Sequence, residues 1–230
     1  MRQRHLETDF EHIKKYLSEM MENVRKQIMD SVNALEHVNY EKAVKVIKDD
    51  DMIDEFQRKI ERETFIYIGR YHPLAEDLRY VIMVIKIATD LERIADLAVN
   101  LAKVVKKHKG EPLPKPLVHI KKMSGYVIKM LDDVLKAYYE MDLNLVRKLY
   151  YDDEEIDKIY KFIKEEISVK IIECDDISEV KFFIDLLLAS RFLERVGDHI
   201  VNVAEEIYYM EMGENLKEVI EIEKRLEKNQ

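Results

Sequence analysis

The feature that most constrains the fold is an internal repeat. Residues 91–100, which read LERIADLAVN, align with residues 193–202, which read LERVGDHIVN, at a constant offset of 102 positions. Upstream positions continue to match at an offset of 103. A match of this length indicates two copies of one structural unit, so each copy is expected to fold in the same way.

Each copy carries the pattern of long amphipathic helices. Apolar residues recur at steps of three and four, which is the spacing of one helix face. In the first helix they are Leu6, Phe10, Ile13, Leu17, Met20, Val24 and Ile28. With only 5 Gly and 4 Pro in 230 residues, the chain has few turn-forming residues. The sequence therefore predicts an all-α fold.

Turn signals divide each copy into three helices. We predict helices at about 6–35, 40–68, 74–108, 117–139, 142–172 and 178–210, with Asn39 and Asp142 as N-caps and Gly213 as a stop. Gly69 with His72-Pro73 supplies the stop of the second helix, and three prolines break the chain after the third. The expected architecture is two tandem, pseudo-symmetric three-helix bundles. Their predicted bounds are 1–110 and 117–213, with a Pro-rich linker at 111–116 and a loosely docked C-terminal tail at 214–230.

Composition argues against several classes of function. Because 47 acidic residues outnumber 38 basic ones, giving a net charge of -9, nucleic acid is not an expected partner. The single cysteine, Cys174, excludes an internal disulfide and a cysteine-rich zinc site. No apolar run approaches the roughly 18 residues of a membrane span, and no signal peptide follows the basic N-terminus. We therefore expect a cytoplasmic protein.

The repeat also carries four acidic pairs, each spaced by four positions. Residues four apart share a helix face, and like charges there destabilise a helix by about 0.2–0.5 kcal/mol per pair. The pairs on the third helix of each copy read E-x-x-x-D and are followed one turn later by asparagine. The candidate cation ligands are Glu92, Asp96, Asn100, Asp50 and Asp54 in the first copy, and Glu194, Asp198, Asn202, Asp153 and Asp157 in the second.

Two interpretations of these pairs remain open on the residues alone. Carboxylate and amide oxygens suit magnesium, calcium, manganese or iron, so the pairs could bind a cation. Alternatively, they are solvated faces neutralised by Arg93, Arg191 and Arg195, each three residues before an acidic residue. His199, next to Asp198, fits either interpretation. The chain lacks the Glu-x-x-His pair of di-iron bundles, a Gly-rich phosphate loop and a nucleophile elbow, so we do not expect an enzyme.

The two copies resemble the signatures of a known family. Residues 72–79 (HPLAEDLR) and 90–100 (DLERIADLAVN) are similar to the first signature of PhoU proteins, and residues 193–206 (LERVGDHIVNVAEE) are similar to the second. The likeness extends from about residue 10 to 210. It implies a pair of three-helix bundles, usually dimeric, that regulates high-affinity phosphate uptake and phosphate-starvation signalling in the cytoplasm.

The resemblance also implies partners and cofactors. The partners would be the ATPase subunit of a phosphate ABC transporter, a phosphate-sensing histidine kinase, or both. Some family members carry multinuclear iron or zinc clusters on the E-x-x-x-D faces, and other divalent cations suit the same oxygens. Ala95 stands where the signature usually has glycine, so we expect the second site to be the better one. The alternatives are a metal-free helical scaffold with no phosphate role and, more weakly, a carboxylate–metal enzyme.

Overall fold

The computed structural model describes residues 2–108 and 118–227, and this part of the chain forms seven helices and no strand. The helices are α1 (Arg2–His37), α2 (Tyr40–Tyr71), α3 (Ala75–Lys107), α4 (Val118–Glu140), α5 (Leu143–Glu173), α6 (Ile177–Met212) and α7 (Leu216–Glu227). The all-α prediction is confirmed, with two tandem three-helix bundles, α1–α3 and α4–α6. The predicted linker, 111–116, lies outside the described residues.

The helix ends follow local side-chain chemistry. The Asn39 side chain accepts a hydrogen bond from the backbone of Lys42, and Asp142 accepts two at the start of α5. Both predicted caps are therefore confirmed. Gly213 ends α6 in the left-handed conformation, also as predicted. The predicted stop of α2 is confirmed at His72-Pro73, just beyond Gly69. The helix continues to Tyr71, and His72 takes the left-handed position, with φ of 52°.

The two bundles meet along α3 and α6, which run antiparallel. Lys86 of α3 pairs with Glu206 of α6 at 2.7 Å, and Lys107 pairs with the buried Asp185 at 2.7 Å. The number of residues from Lys86 to Lys107 equals the number from Glu206 back to Asp185, so the register is constant. This register brings the two E-x-x-x-D segments to the same level, near the middle of the paired helices.

Because α3 and α6 pack both into their own bundles and against each other, they are the most deeply buried helices. Leu91 and Ile94 of α3, and Val196 and Ile200 of α6, are fully buried. In an isolated three-helix bundle, each helix would bury only the face turned inward. The shared α3–α6 layer explains why these two helices have apolar residues around most of their circumference.

The C-terminal helix α7 is docked rather than loose. Leu216 and Ile220 are buried, and Arg147 of α5 forms an ion pair with Glu223. Asn215 caps the helix by accepting a hydrogen bond from the backbone of Glu218 at 3.3 Å. Leu216 and Ile220 lie four residues apart on one helix face, so a short helix suffices to bury them, whereas Ile222 and Leu226 stay exposed. Across the described residues, no helix combines the length and apolar character of a membrane span.

Candidate functional site

The second acidic cluster comprises Asp153 and Asp157 of α5 with Glu194 and Asp198 of α6. The structure brings these four predicted residues together. Burial, followed by the charges of Asp198, Asp157 and Glu194, raises the pKa of the Asp153 carboxyl to about 7. Gly197 makes the close approach of the helices possible, because a Cβ there would lie 2.9 Å from Asp153 Oδ1.

Glu194 is the most buried member of the second acidic cluster, with 8% of its surface exposed. Arg191 forms an ion pair with Glu194 Oε1, whereas Oε2 is buried without a hydrogen-bond partner. Burial and then the charge of Asp198 raise the pKa of Glu194. A buried carboxylate oxygen without a partner is costly, so this atom favours either a proton or a cation beside it.

The first acidic cluster comprises Asp50 and Asp54 of α2 with Glu92 and Asp96 of α3. Burial, followed by the charges of Asp96, Asp54 and Asp50, raises the pKa of Glu92, so these four predicted residues also lie together. Burial likewise raises the pKa of Asp50, although a hydrogen bond from Gln27 at 3.2 Å opposes the shift.

Arginines neutralise the first acidic cluster more completely than the second. Arg93 lies 3.5 Å from Glu92 and 4.0 Å from Asp96, and Arg58 lies 3.9 Å from Asp54. None of the buried, unpartnered oxygens found in the described part of the chain belongs to this cluster. The two acidic clusters are therefore equivalent in the repeat but not in their electrostatics.

The donor chemistry of the second acidic cluster fits a divalent cation, since carboxylate oxygens are suitable ligands and Glu194 Oε2 has no other partner. With the side chains placed as they are, no three His, Cys, Asp or Glu residues of the described ranges converge closely enough to hold one ion. The carboxylates would have to reorient to bind it.

The predicted asparagines occupy different surroundings. Asn202 donates a hydrogen bond to Asp90 Oδ1 at 3.1 Å, and His199 Nδ1 lies 2.8 Å from the same oxygen. These contacts tie α6 to α3 across the bundle interface. Asn100 is half-buried one turn beyond Asp96. Sequence reasoning did not assign a role to Asp90, although it breaks the repeat by aligning with Phe192.

An open cleft of about 360 Å³ adjoins the second acidic cluster. Six of its lining residues are polar or aromatic: Tyr150, Asp153, Glu154, Asp198, Asn202 and Lys217. Lys217 comes from α7, and its Nζ lies 2.9 Å from Glu205 Oε1. Sequence reasoning missed this lysine because it lies far from the acidic motifs along the chain.

Comparison with known proteins identifies the family. The PhoU domain matches residues 17–105 and 120–207, one match in each bundle. The chain belongs to the PhoU family. A relative from Thermotoga maritima, named phosphate-specific transport system accessory protein PhoU homolog 1, is 36% identical over 94% of this chain and 93% of its own length. A homolog from Clostridium acetobutylicum is 36% identical over 91% of this chain and 95% of its own.

Solved PhoU structures share the fold. The crystal structure of PhoU from Pseudomonas aeruginosa matches with a TM-score of 0.86 and 31% identity, covering 90% of this chain and 99% of that one. PhoU from Streptococcus pneumoniae matches with a TM-score of 0.83 and 25% identity, over 91% and 98% of the two chains. The predicted resemblance to PhoU is thus confirmed. The second PhoU domain match ends at residue 207, so α7 lies outside both matches.

Proposed function

We propose that this chain is a cytoplasmic regulator that dampens high-affinity phosphate uptake and phosphate-starvation signalling through protein contacts. The observation that carries the proposal is the double PhoU domain spanning both bundles, together with relatives named as accessory proteins of phosphate-specific transport. The proposed partners are the ATPase subunit of a phosphate ABC transporter, a phosphate-sensing histidine kinase, and a second copy of the chain.

Exposed apolar residues at the helix turns support an adaptor role. Leu74, between α2 and α3, is 79% exposed, and Ile177, at the start of α6, is 69% exposed. Ile172, near the end of α5, is 84% exposed. These residues lie at equivalent ends of the two bundles. Ile172 and Ile177 flank the same turn, so together they offer an exposed apolar surface to a protein partner.

The second part of the proposal is a metal site on the E-x-x-x-D faces, for multinuclear iron or zinc or another divalent cation. Glu194, Asp198, Asp153 and Asp157 would hold it in the second bundle, because their charges repel one another and Glu194 Oε2 has no other partner. A bound cation would neutralise these carboxylates and cross-link α5 to α6. The first acidic cluster is the weaker candidate because of its arginines.

Deleting the gene tests the regulatory role. The deletion should raise phosphate uptake and starvation-gene expression in phosphate-rich medium, and the wild-type gene should restore both. A gene that carries Ile177→Asp should restore normal phosphate uptake and starvation-gene expression poorly, because the turn between α5 and α6 contacts a partner in this proposal. Phe162→Asp is the matched control, because Phe162 is similarly exposed at 63% but lies within α5. Unchanged uptake and expression in the deletion strain would contradict the proposal.

Metal content tests the second part separately. Protein purified without added metal or chelator should contain stoichiometric metal, and Glu194→Gln with Asp198→Asn should remove most of it. The matched pair, Glu92→Gln with Asp96→Asn, should remove less. Metal-free protein in every case would instead favour a metal-free scaffold, an alternative supported by the ion pairs that Arg191 and Arg93 form with the acidic motifs.

A further inference from the structure

The C-terminal helix α7 brings a positive charge to the second acidic cluster. Lys217 of α7 lines the same cleft as Asp153 and Asp198. We propose that Lys217 is a built-in counter-ion of this cluster, and that the docked α7 thereby lowers the affinity of the cluster for divalent cations. This inference rests on the cation site of the proposed function and names an element that regulates it.

The electrostatic link between Lys217 and the cluster acts in both directions. Desolvation and the neighbouring carboxylates raise the pKa of Asp153, whereas the charge of Lys217 lowers it. The ion pair with Glu205 raises the pKa of Lys217, and the charge of Asp153 adds to that effect. The ammonium therefore adds a positive charge to the same cleft as a carboxylate that a cation would also bind.

The two copies of the repeat carry the positive charge beside the acidic cluster at different positions. In the first bundle, Lys103 of α3 supplies a positive charge that lowers the pKa of Asp50. The equivalent position in the second bundle, at the offset of 102, is Glu205. Lys217 pairs with Glu205, so a lysine on a separate helix takes the place of one fixed within the repeat.

Docking of α7 positions the ammonium. Leu216, directly before Lys217, is buried together with Ile220, and Glu223 is paired with Arg147 of α5. These contacts hold one face of α7 against the second bundle, while the Lys217 side chain stays 52% exposed at the cleft. Undocking α7 would remove the positive charge from the cleft without altering the carboxylates.

A second observation points to a ligand at the cluster itself, because the buried Glu194 Oε2 has no hydrogen-bond partner and favours a proton or a cation beside it. Lys217 and a divalent cation would both offset the charge of Asp153, so they compete. At a partly exposed site, removing one such charge should change cation affinity by roughly three- to tenfold.

Isothermal titration of the full-length, chelator-treated protein with Mn²⁺ tests this inference. Lys217→Gln should bind Mn²⁺ about three- to tenfold more tightly than the wild type, and the difference should shrink at high salt. Arg225→Gln is the control, since it removes the same charge from α7 at a residue paired with Glu221 and away from the cleft. It should leave the affinity within about twofold of the wild type.

A second variant tests the role of docking. Ile220→Asn places an uncharged polar group at a buried anchor of α7, so it should raise Mn²⁺ affinity about as much as Lys217→Gln. Adding Lys217→Gln to Ile220→Asn should then give little further gain. Mn²⁺ binding that is equal or weaker in Lys217→Gln would overturn the counter-ion role while leaving the cation site intact. Absence of Mn²⁺ binding in every protein would overturn the cation site and this inference together.

Discussion

Replacing Asp153 by asparagine should stabilise the metal-free protein near pH 8 and have much less effect near pH 4. The pKa of this carboxyl rises from 3.8 to about 7 in the folded protein, chiefly because of burial. The folded state therefore keeps the proton to a higher pH than the unfolded state does. As pH rises from about 4 to about 7, the unfolding free energy falls, and above that range the loss stays constant.

The rise in the pKa of Asp153 sets the size of the change in unfolding free energy. A rise from 3.8 to about 7, at about 1.36 kcal/mol for each pH unit, would give an upper limit of about 4 kcal/mol. Because Asp153 borders an open cleft, solvent screening reduces this, and we expect about 1–2 kcal/mol. Asp153→Asn removes the charge at every pH. Its unfolding free energy should thus exceed that of the wild type by this amount near pH 8.

Urea unfolding followed by far-UV circular dichroism, in the presence of a chelator, measures the difference across this pH range. Asp152→Asn is the matched control. Asp152 pairs with Lys148 and is not among the charges that raise the pKa of Asp153, so its replacement should give no gain near pH 8. A gain in Asp153→Asn that is the same near pH 4 and pH 8, or no gain at either, would refute the reasoning.

Three further predictions concern other contacts of the structure. Gly197→Ala should give no gain in unfolding free energy, because about 0.5–1 kcal/mol of helix propensity is offset by the clash of the new methyl with Asp153, and it should lower Mn²⁺ affinity about tenfold because that methyl displaces the carboxylate. Unchanged affinity in calorimetry would show that the cluster tolerates the methyl. Arg79→Met removes two hydrogen bonds to the last carbonyls of α6 and should cost about 1–2 kcal/mol, with faster amide exchange in the turn before α7. Asp185→Asn weakens the buried pairing with Lys107 and should lower the unfolding free energy by about 1–3 kcal/mol; thermal unfolding within error of the wild type would contradict this.

Sequence reasoning was most successful where structure depends on near neighbours. Helical periodicity, together with the caps Asn39 and Asp142, predicted the starts of α2 and α5, because a cap bonds to the backbone within three residues. Spacing by four placed each acidic pair on one helix face for the same local reason. The end of α2 was predicted from Gly69 with His72-Pro73, and the helix passes Gly69 and ends at Tyr71, because the proline rather than the glycine prevents it from continuing.

The packing between segments that are distant in sequence could be determined only from the tertiary structure. The internal repeat determined that there are two three-helix bundles, and the acidic spacing determined which carboxylates share a face. Only the tertiary structure decided that α3 and α6 form one buried layer, that Glu194 Oε2 is unpartnered, and that Lys217 lies beside Asp153. The physical reason is that periodicity and caps act within a few residues along a helix. Burial and charge pairing depend instead on which faces meet across the fold, and the two equivalent copies of the repeat leave that choice open.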